Sequence, residues 1–230
     1  MRISVPHSWP ADEHEALQIQ NQLRPLVNQD TGPPTQPETI AGMDVAYATE
    51  SDRVAAAVVV LDARTSTVVD QATATGTVAF PYIPGLLAFR ELPTLVHALE
   101  QLSVTPDLVM CDGYGIAHPR RFGLACHIGV LTGLPSIGVG KTAFVGTFDP
   151  PGRNRGDSAP LQFEGEHVGR ALRTQTGIKP VFVSVGHRID LDTACQRVLA
   201  AAPRYRLPET TRVADRLARD VLAADTSTPT

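Results

Sequence analysis

The spacing of apolar positions changes several times along the chain, and each change predicts an element. ADEHEALQIQNQLRPLV (11–27) places Ala16, Leu17, Ile19 and Leu23 among polar residues at helical spacing. A proline-rich connector, TGPPTQPET (31–39), follows. TIAGMDVAY (39–47), RVAAAVVVLD (53–62) and STVVDQATATGTV (66–78) read as strands, and the short breaks between them, ATESD and ART, predict an antiparallel meander. IPGLLAFRELPTLVHALEQL (83–102) returns to helical spacing, with Pro93 expected to kink or split it. Beyond it lie a buried strand ending in a turn, TPDLVMCDG (105–113), a short helix closed by Gly133, RFGLACHIGVLTG (121–133), and a second buried strand, SIGVGK (136–141). PPGRNRGDSAP (150–160) is expected to be a loop. GEHVGRALRT and KPVFVSVGH are expected as strands, DLDTACQRVLAAA and TTRVADRLARDVLAA as helices.

Three antiparallel strands, then helix, strand, helix and strand, is the order of the ribonuclease H-like fold: α/β, a mixed central sheet with flanking helices. There the first strand lies centrally, beside the strand that follows the first helix of that order. No repeat or composition break divides the chain. The expectation is one domain over 1–230, with an N-terminal helical segment and linker at 1–34 and a disordered tail at 224–230.

Composition narrows the setting. The longest apolar run, Val54 to Leu61, has eight residues, and the first 15 residues hold no apolar segment, so neither a secretion signal nor a membrane span is expected. Three scattered cysteines, Cys111, Cys126 and Cys195, suggest reduced thiols and a cytoplasmic protein, and adjacent Cys126 and His127 make a poor zinc chelate. A net charge of −4 argues against loose, charge-driven nucleic-acid binding but leaves a local patch open. Of the 20 basic residues only Lys141 and Lys179 are lysines. Either this is compositional chance, or a lysine serves where arginine cannot.

Lys141 closes LPSIGVGKT, which ends like a phosphate-binding P-loop. The first glycine of that motif would fall on Pro135, which has no N–H to offer a phosphate, and the Asp-bearing strand LVMCD precedes the segment instead of following it. A nucleotide-hydrolysing P-loop is therefore the weak alternative.

The carboxylates carry more. Asp44 sits among apolar neighbours in AGMDVAY, and Asp112 ends VMCDG. Each alone reads as a strand-end or turn residue. If their strands are neighbours, the two anions share one end of the sheet and call for a cation between them; Mg²⁺ suits oxygen ligands of this kind. Glu91 could be a third ligand, a base for an attacking water, or a solvated helix acid. DGYGIAHPRRFGLACH (112–127) combines glycines that permit close backbone approach with His118, Arg120 and Arg121 as candidate phosphate donors. In FPYIPG (80–85), Tyr82 between Pro81 and Pro84 is either an aromatic wedge for a base step or a helix-entry staple.

Four blocks in order, AGMDVAY, PYIPGLLAFRE, DGYGIAHPRRFGLACHIG with IGVGK, and KPVFVSVGH with YRLPETTRVAD, resemble the endonuclease V family over roughly residues 35–216. The first 30 residues match nothing specific, and the 150–160 loop differs from the family pattern. The resemblance implies Mg²⁺-dependent hydrolysis (with Mn²⁺ able to substitute) of the second phosphodiester bond 3′ to inosine, leaving a 3′-hydroxyl and a 5′-phosphate. It implies DNA or RNA as the partner of a monomer. It places the metal carboxylates on Asp44 and Asp112, a third catalytic carboxylate on Glu91 and the catalytic lysine on Lys141. A strand-separating wedge falls on Pro81, Tyr82, Ile83 and Pro84. A pocket for the flipped base falls on Gly85, Leu87, Gly113 and Gly123 beside His118, and a C-terminal polar site residue falls on Asp215. A non-catalytic inosine or junction binder on the same fold is the alternative, against which intact Asp44, Glu91, Asp112 and Lys141 stand.

Overall fold

The computed structural model describes residues 1–29 and 36–225. The elements are α1 (Glu13–Leu23), continued by a 3-10 turn at Arg24–Leu26, β1 (Thr39–Tyr47), β2 (Arg53–Asp62), β3 (Val68–Thr77), α2 (Leu87–Glu100), β4 (Leu108–Asp112), α3 (Leu124–Thr132), β5 (Ser136–Gly140), β6 (Ser158–Phe163), β7 (Glu166–Leu172), β8 (Val181–His187), α4 (Leu191–Ala201) and α5 (Glu209–Asp225). The eight strands form one mixed sheet ordered β3-β2-β1-β4-β5-β8-β7-β6. β1, β4 and β5 are mutually parallel, whereas β2, β3, β8, β7 and β6 join antiparallel. This is the expected ribonuclease H-like arrangement, with β1 central and beside β4.

The burial of each strand follows its place. β2 is apolar and buried almost end to end, because it is covered on both faces. On one face, Val58 and Val60 join Ala41, Met43 and Val45 of β1 against Leu92, Leu95 and Leu99 of α2. On the other, Val59 and Leu61 meet Ala214 of α5. Gly42 lies so close to Thr210 at the start of α5 that a methyl group there would collide with the Thr210 backbone. α5 is thereby held tight against β1. A separate cluster joins Ala16, Ile19 and Leu23 of α1 to Phe80, Phe89, Phe122 and residues of β8 and α4.

Several expectations are corrected. Pro93 lies inside α2 without splitting it: the helix runs from Leu87 to Glu100, and the one main-chain donor that proline lacks is the one that would have met the Phe89 carbonyl. Residues 158–160, expected in a loop, open β6. β6 is an edge strand, where Pro160 is tolerated because only one side must pair. The segment that ends like a phosphate loop is, as expected, a buried strand, β5. Residues 224 and 225, expected to begin a disordered tail, belong to α5, while 226–230 and most of the proline-rich connector lie outside the described residues. No helix of the described residues is long and apolar enough to cross a membrane.

Candidate active site

Parallel pairing aligns Met43 with Cys111, so one residue further along both strands Asp44 and Asp112 emerge side by side. β5 continues the row: Asp112 pairs with Val139, and Lys141 lies two residues on, on the same face. The result is an ion pair of 2.5 Å between Lys141 Nζ and Asp112 Oδ2. Asp215, the sixth position after Glu209 on α5, comes down on this row and shares a hydrogen bond with Asp44, while Arg219 holds its other side at 2.7 Å. The carboxyl ends of three parallel strands, where an open α/β sheet presents its crevice, thus gather Asp44, Asp112, Asp215 and Lys141.

Glu91 arrives from the opposite face, on α2. Its Oε1 accepts a 3.0 Å hydrogen bond from Tyr47 Oη at the end of β1, and Arg90 lies over the Tyr47 ring. Glu91 is not a solvated helix acid. Burial, reinforced by Asp44 and Asp112, pushes its pKa up to about 8 against the opposing effect of Tyr47. Asp44 is pushed up to about 7, first by burial, then by the charge of Asp112 and by Asp215. Burial pulls the Lys141 ammonium down, but the hydrogen bond and charge of Asp112, with Asp44 and Asp215, outweigh it and hold its pKa above the usual value. The cluster is short of positive charge.

Beside it opens a cavity of about 400 Å³, lined among others by Tyr82, Gly85, Leu87, Gly113, His118 and Gly123, and reaching Asp112 and Lys141. Pro81, Ile83 and Pro84 do not line it. Tyr82 is 67% exposed, so it is no helix-entry staple: its ring stands in solvent at the cavity mouth. Gly123 packs against the Tyr114 carbonyl with no room for a methyl group, and Gly140 leaves space for the Tyr114 ring.

Sequence reasoning missed Gln20, Ala88, Tyr114, Leu124, Gly140, Thr142 and Phe144 of this lining. Tyr114 and Phe144 stack at 5.1 Å, and the Tyr114 hydroxyl donates to the Thr142 carbonyl. Two aromatics thirty residues apart give no periodic signal; only the glycine-rich context of Tyr114 hinted at it.

The donors expected from His118, Arg120 and Arg121 are engaged within the protein. His118 accepts the Arg120 N–H at Nδ1 and donates from Nε2 to the Gly85 carbonyl, which fixes a neutral tautomer. Burial first, then the Arg120 charge, drives its pKa down to about 4. His118 therefore presents a ring to the cavity, not a charge. Arg121 is bound to Glu164 and Glu166 and to the Phe163 carbonyl. Cys126 and His127 are both buried, with His127 packed against His7, Phe89 and Phe122. Among the described residues no group of three or more His, Cys, Asp or Glu side chains is gathered as a metal cage.

Comparison with known proteins places the whole chain in a family. The model of the endonuclease V family matches residues 21–216. Endonuclease V of Streptomyces avermitilis is 58% identical over 226 residues, covering 98% of this chain and 99% of the relative, so the N-terminal segment also has counterparts. Its crystal structure superposes with a TM-score of 0.92 at 57% identity, over 97% of this chain and 98% of that one. A Ciona intestinalis endonuclease V, solved with a 24mer DNA containing an inosine followed by a ribo-adenosine, gives a TM-score of 0.80 at 26% identity, over 93% of this chain and 99% of that one. With most of its length matched by the family model and full-length relatives well above half identical, this chain belongs to the endonuclease V family of nucleases.

Proposed function

We propose that the protein is a Mg²⁺-dependent endonuclease that hydrolyses the second phosphodiester bond 3′ to inosine, leaving a 3′-hydroxyl and a 5′-phosphate, as one cytoplasmic domain acting as a monomer. The observation that carries this reading is the row Asp44–Asp112–Lys141 at the mouth of a cavity large enough for a nucleobase. The relative solved with inosine-containing DNA supports the choice of substrate.

The donor set fits a divalent cation. Asp44, whose proton is held by burial and by the charge of Asp112, is relieved by a cation, and Mg²⁺ needs only one or two carboxylates, since water and substrate phosphate complete its shell. Asp44 and Asp112 would hold it, with Mn²⁺ able to substitute, and when bound it supplies an activated water and stabilises charge at phosphorus. The chain's own residues do the rest. Lys141 Nζ, freed from Asp112, reaches the scissile phosphate and meets the charge that develops there. Glu91, whose raised pKa makes its ionised form a strong proton acceptor, would take a proton from the attacking water once a bound cation has relieved the cluster and left its carboxyl ionised. The cavity takes the extruded base, with Gly85, Gly113 and Gly123 admitting it closely and Leu87 and His118 offering apolar or neutral faces. Pro81, Tyr82, Ile83 and Pro84 form the wedge that fills the place the base leaves. Asp215 acts through Asp44, by hydrogen bonding to it.

Matched DNA and RNA strands, each bearing one inosine, incubated with Mg²⁺ and with chelator, test the reading. A chelator-sensitive cut one nucleotide beyond the inosine, with a 5′-phosphate, is expected. Uncut strands, or cutting that ignores chelator, would overturn it.

A further inference from the structure

α1 belongs neither to the sheet nor to the metal cluster, yet it sends one polar side chain deep into the molecule. Gln20 is 1% exposed and touches the cavity. A buried amide must find partners, because one left unmet forfeits its bonds to water without replacement. Gln20 meets this need with two loops that have no main-chain pairing with each other at this point. Its Nε2 donates to the Gly85 carbonyl at 2.9 Å, at the end of the Pro81–Gly85 loop, and to the Phe122 carbonyl at 3.1 Å, at the end of the Gly113–Gly123 loop. Its Oε1 accepts a short hydrogen bond from Arg120 Nε. Both amide hydrogens are thereby spent on main-chain oxygens, one in each loop.

The Gly85 carbonyl is the hub of this arrangement. Besides Gln20 it accepts from His118 Nε2 at 2.9 Å and from Arg120 Nη2 at 2.8 Å. Gly85 adopts φ +84°, and a Cβ there would stand 2.8 Å from Arg120 Nη2, so the loop takes this path with glycine and with three donors gathered on its carbonyl. Tyr82 immediately precedes the turn that contains Gly85, which closes with the Leu86 N–H donating to the Ile83 carbonyl at 2.9 Å. A shift of Gly85 is a shift of the ring at the cavity mouth.

We infer that Gln20 is a positioning residue that fixes the Tyr82-bearing loop against the base cavity, so that the N-terminal helix sets the spacing between wedge and pocket. The inference rests on the proposed reading of Tyr82 as wedge and of the cavity as base pocket. It assigns a role to a residue just outside the span matched by the family model.

Two substitutions separate positioning from plain stability. Gln20→Met keeps the volume and removes all three bonds. Gln20→Glu keeps the acceptor for Arg120 but loses both donors, so a carboxylate faces two carbonyls. Strand opening is read without cleavage, by the fluorescence of a 2-aminopurine stacked beside the inosine, in chelator; kcat and KM are then measured on paired and single-stranded DNA. With positioning, both variants lose at least half the 2-aminopurine rise on the duplex, and their kcat/KM falls at least tenfold more on duplex than on single strand. Gln20→Glu, although it retains the Arg120 bond, is no better than Gln20→Met. A full fluorescence rise with equal losses on both substrates, or rescue by Gln20→Glu, overturns the inference. If neither variant folds, Arg120→Lys, which loses the fork joining Gln20 to Gly85, is read by the same two measurements and the same criteria. A wild-type protein that does not cut inosine strands counts against the proposed function instead, since the fluorescence experiment requires no cutting.

Discussion

Asp44 gives the sharpest test, because the charge that serves catalysis is expected to weaken the fold. Asp44→Asn removes the ionisable group while leaving an amide of nearly the same shape, able to donate to Asp215. The folded pKa is raised from 3.8 to about 7. The folded protein therefore holds more protons at this site than the unfolded chain across that window, and stability contributed by the group falls as pH rises from about 4 to 7, then levels off. About 3 pKa units correspond to about 4 kcal/mol as an upper bound, at about 1.4 kcal/mol per unit. Asp112 and Asp215 share the repulsion and relax when one partner is lost, so about half, or about 2 kcal/mol, is expected. For a chain of this size that is about 4–8 °C in Tm. Thermal and urea unfolding in chelator, at pH 5 and pH 8, measure it. The variant should be more stable than the wild type at pH 8, by a margin that shrinks at pH 5, and should not cleave. Equal or lower stability at pH 8, or a gain that does not change with pH, would refute the electrostatic account of the cluster.

Asp112→Ala should abolish Mg²⁺-dependent cleavage with its circular dichroism spectrum unchanged, and residual cutting above a thousandth of wild type would remove Asp112 from the metal site. Divalent affinity, measured by calorimetry without substrate, should rise about tenfold between pH 6 and 8, since Asp44 must release its proton near pH 7 to bind a cation; a flat profile would contradict this. Tyr82→Ala should lose roughly ten- to a hundredfold more activity on a paired duplex than on a single strand, because aromatic stacking worth about 1–3 kcal/mol matters only where pairs must open. Equal loss on both, with the melting temperature unchanged, would leave Tyr82 without a wedge role.

What the sequence revealed and what it hid follow from how each signal is written. The run from Val54 to Leu61 announces a doubly covered strand because every position is apolar, and Gly133 closes α3 in the left-handed conformation that glycine favours. Asp44 and Asp112 were legible as polar breaks in apolar strands, and strand order then set them side by side. β6 was hidden because an edge strand needs burial on alternate positions only, and Pro160, so soon after Gly156, Asp157 and Ser158, looks like a continuation of the loop before it. Gln20 was hidden for a different reason. On a helix an amide among polar residues has the appearance of a solvent-facing position, and nothing local says that two loops, 65 and 102 residues away, will converge on it. Tertiary hydrogen bonds of this kind leave no periodic trace.

The imbalance between arginine and lysine acquires a structural meaning from the same bonds. Arg120 serves Gln20 and the Gly85 carbonyl; Arg155 serves the carbonyls of Leu199, Ala202 and Thr174; Arg173 those of Pro151, Gly152 and Ile178. Arg206 binds the carbonyls of Lys179, Pro180 and Lys141. Each gathers oxygens, nearly all of them main-chain, from different segments, a task for a planar fork with five donors that an ammonium on a flexible stem performs poorly. Arginine is here the mortar between loops, and the net charge of −4 shows that it does not make the surface broadly basic. Lys141 stands in contrast. Its charge is directed at one carboxylate oxygen instead of being spread over carbonyls, and a compact ammonium can leave Asp112 for an incoming phosphate by rotating its stem. Arg206 bonds to the Lys141 carbonyl, not its side chain, so the backbone is fixed while Nζ remains free to move. The chain thus divides its cations by chemistry: forks hold the scaffold, and the one lysine at the strand ends is kept for the site.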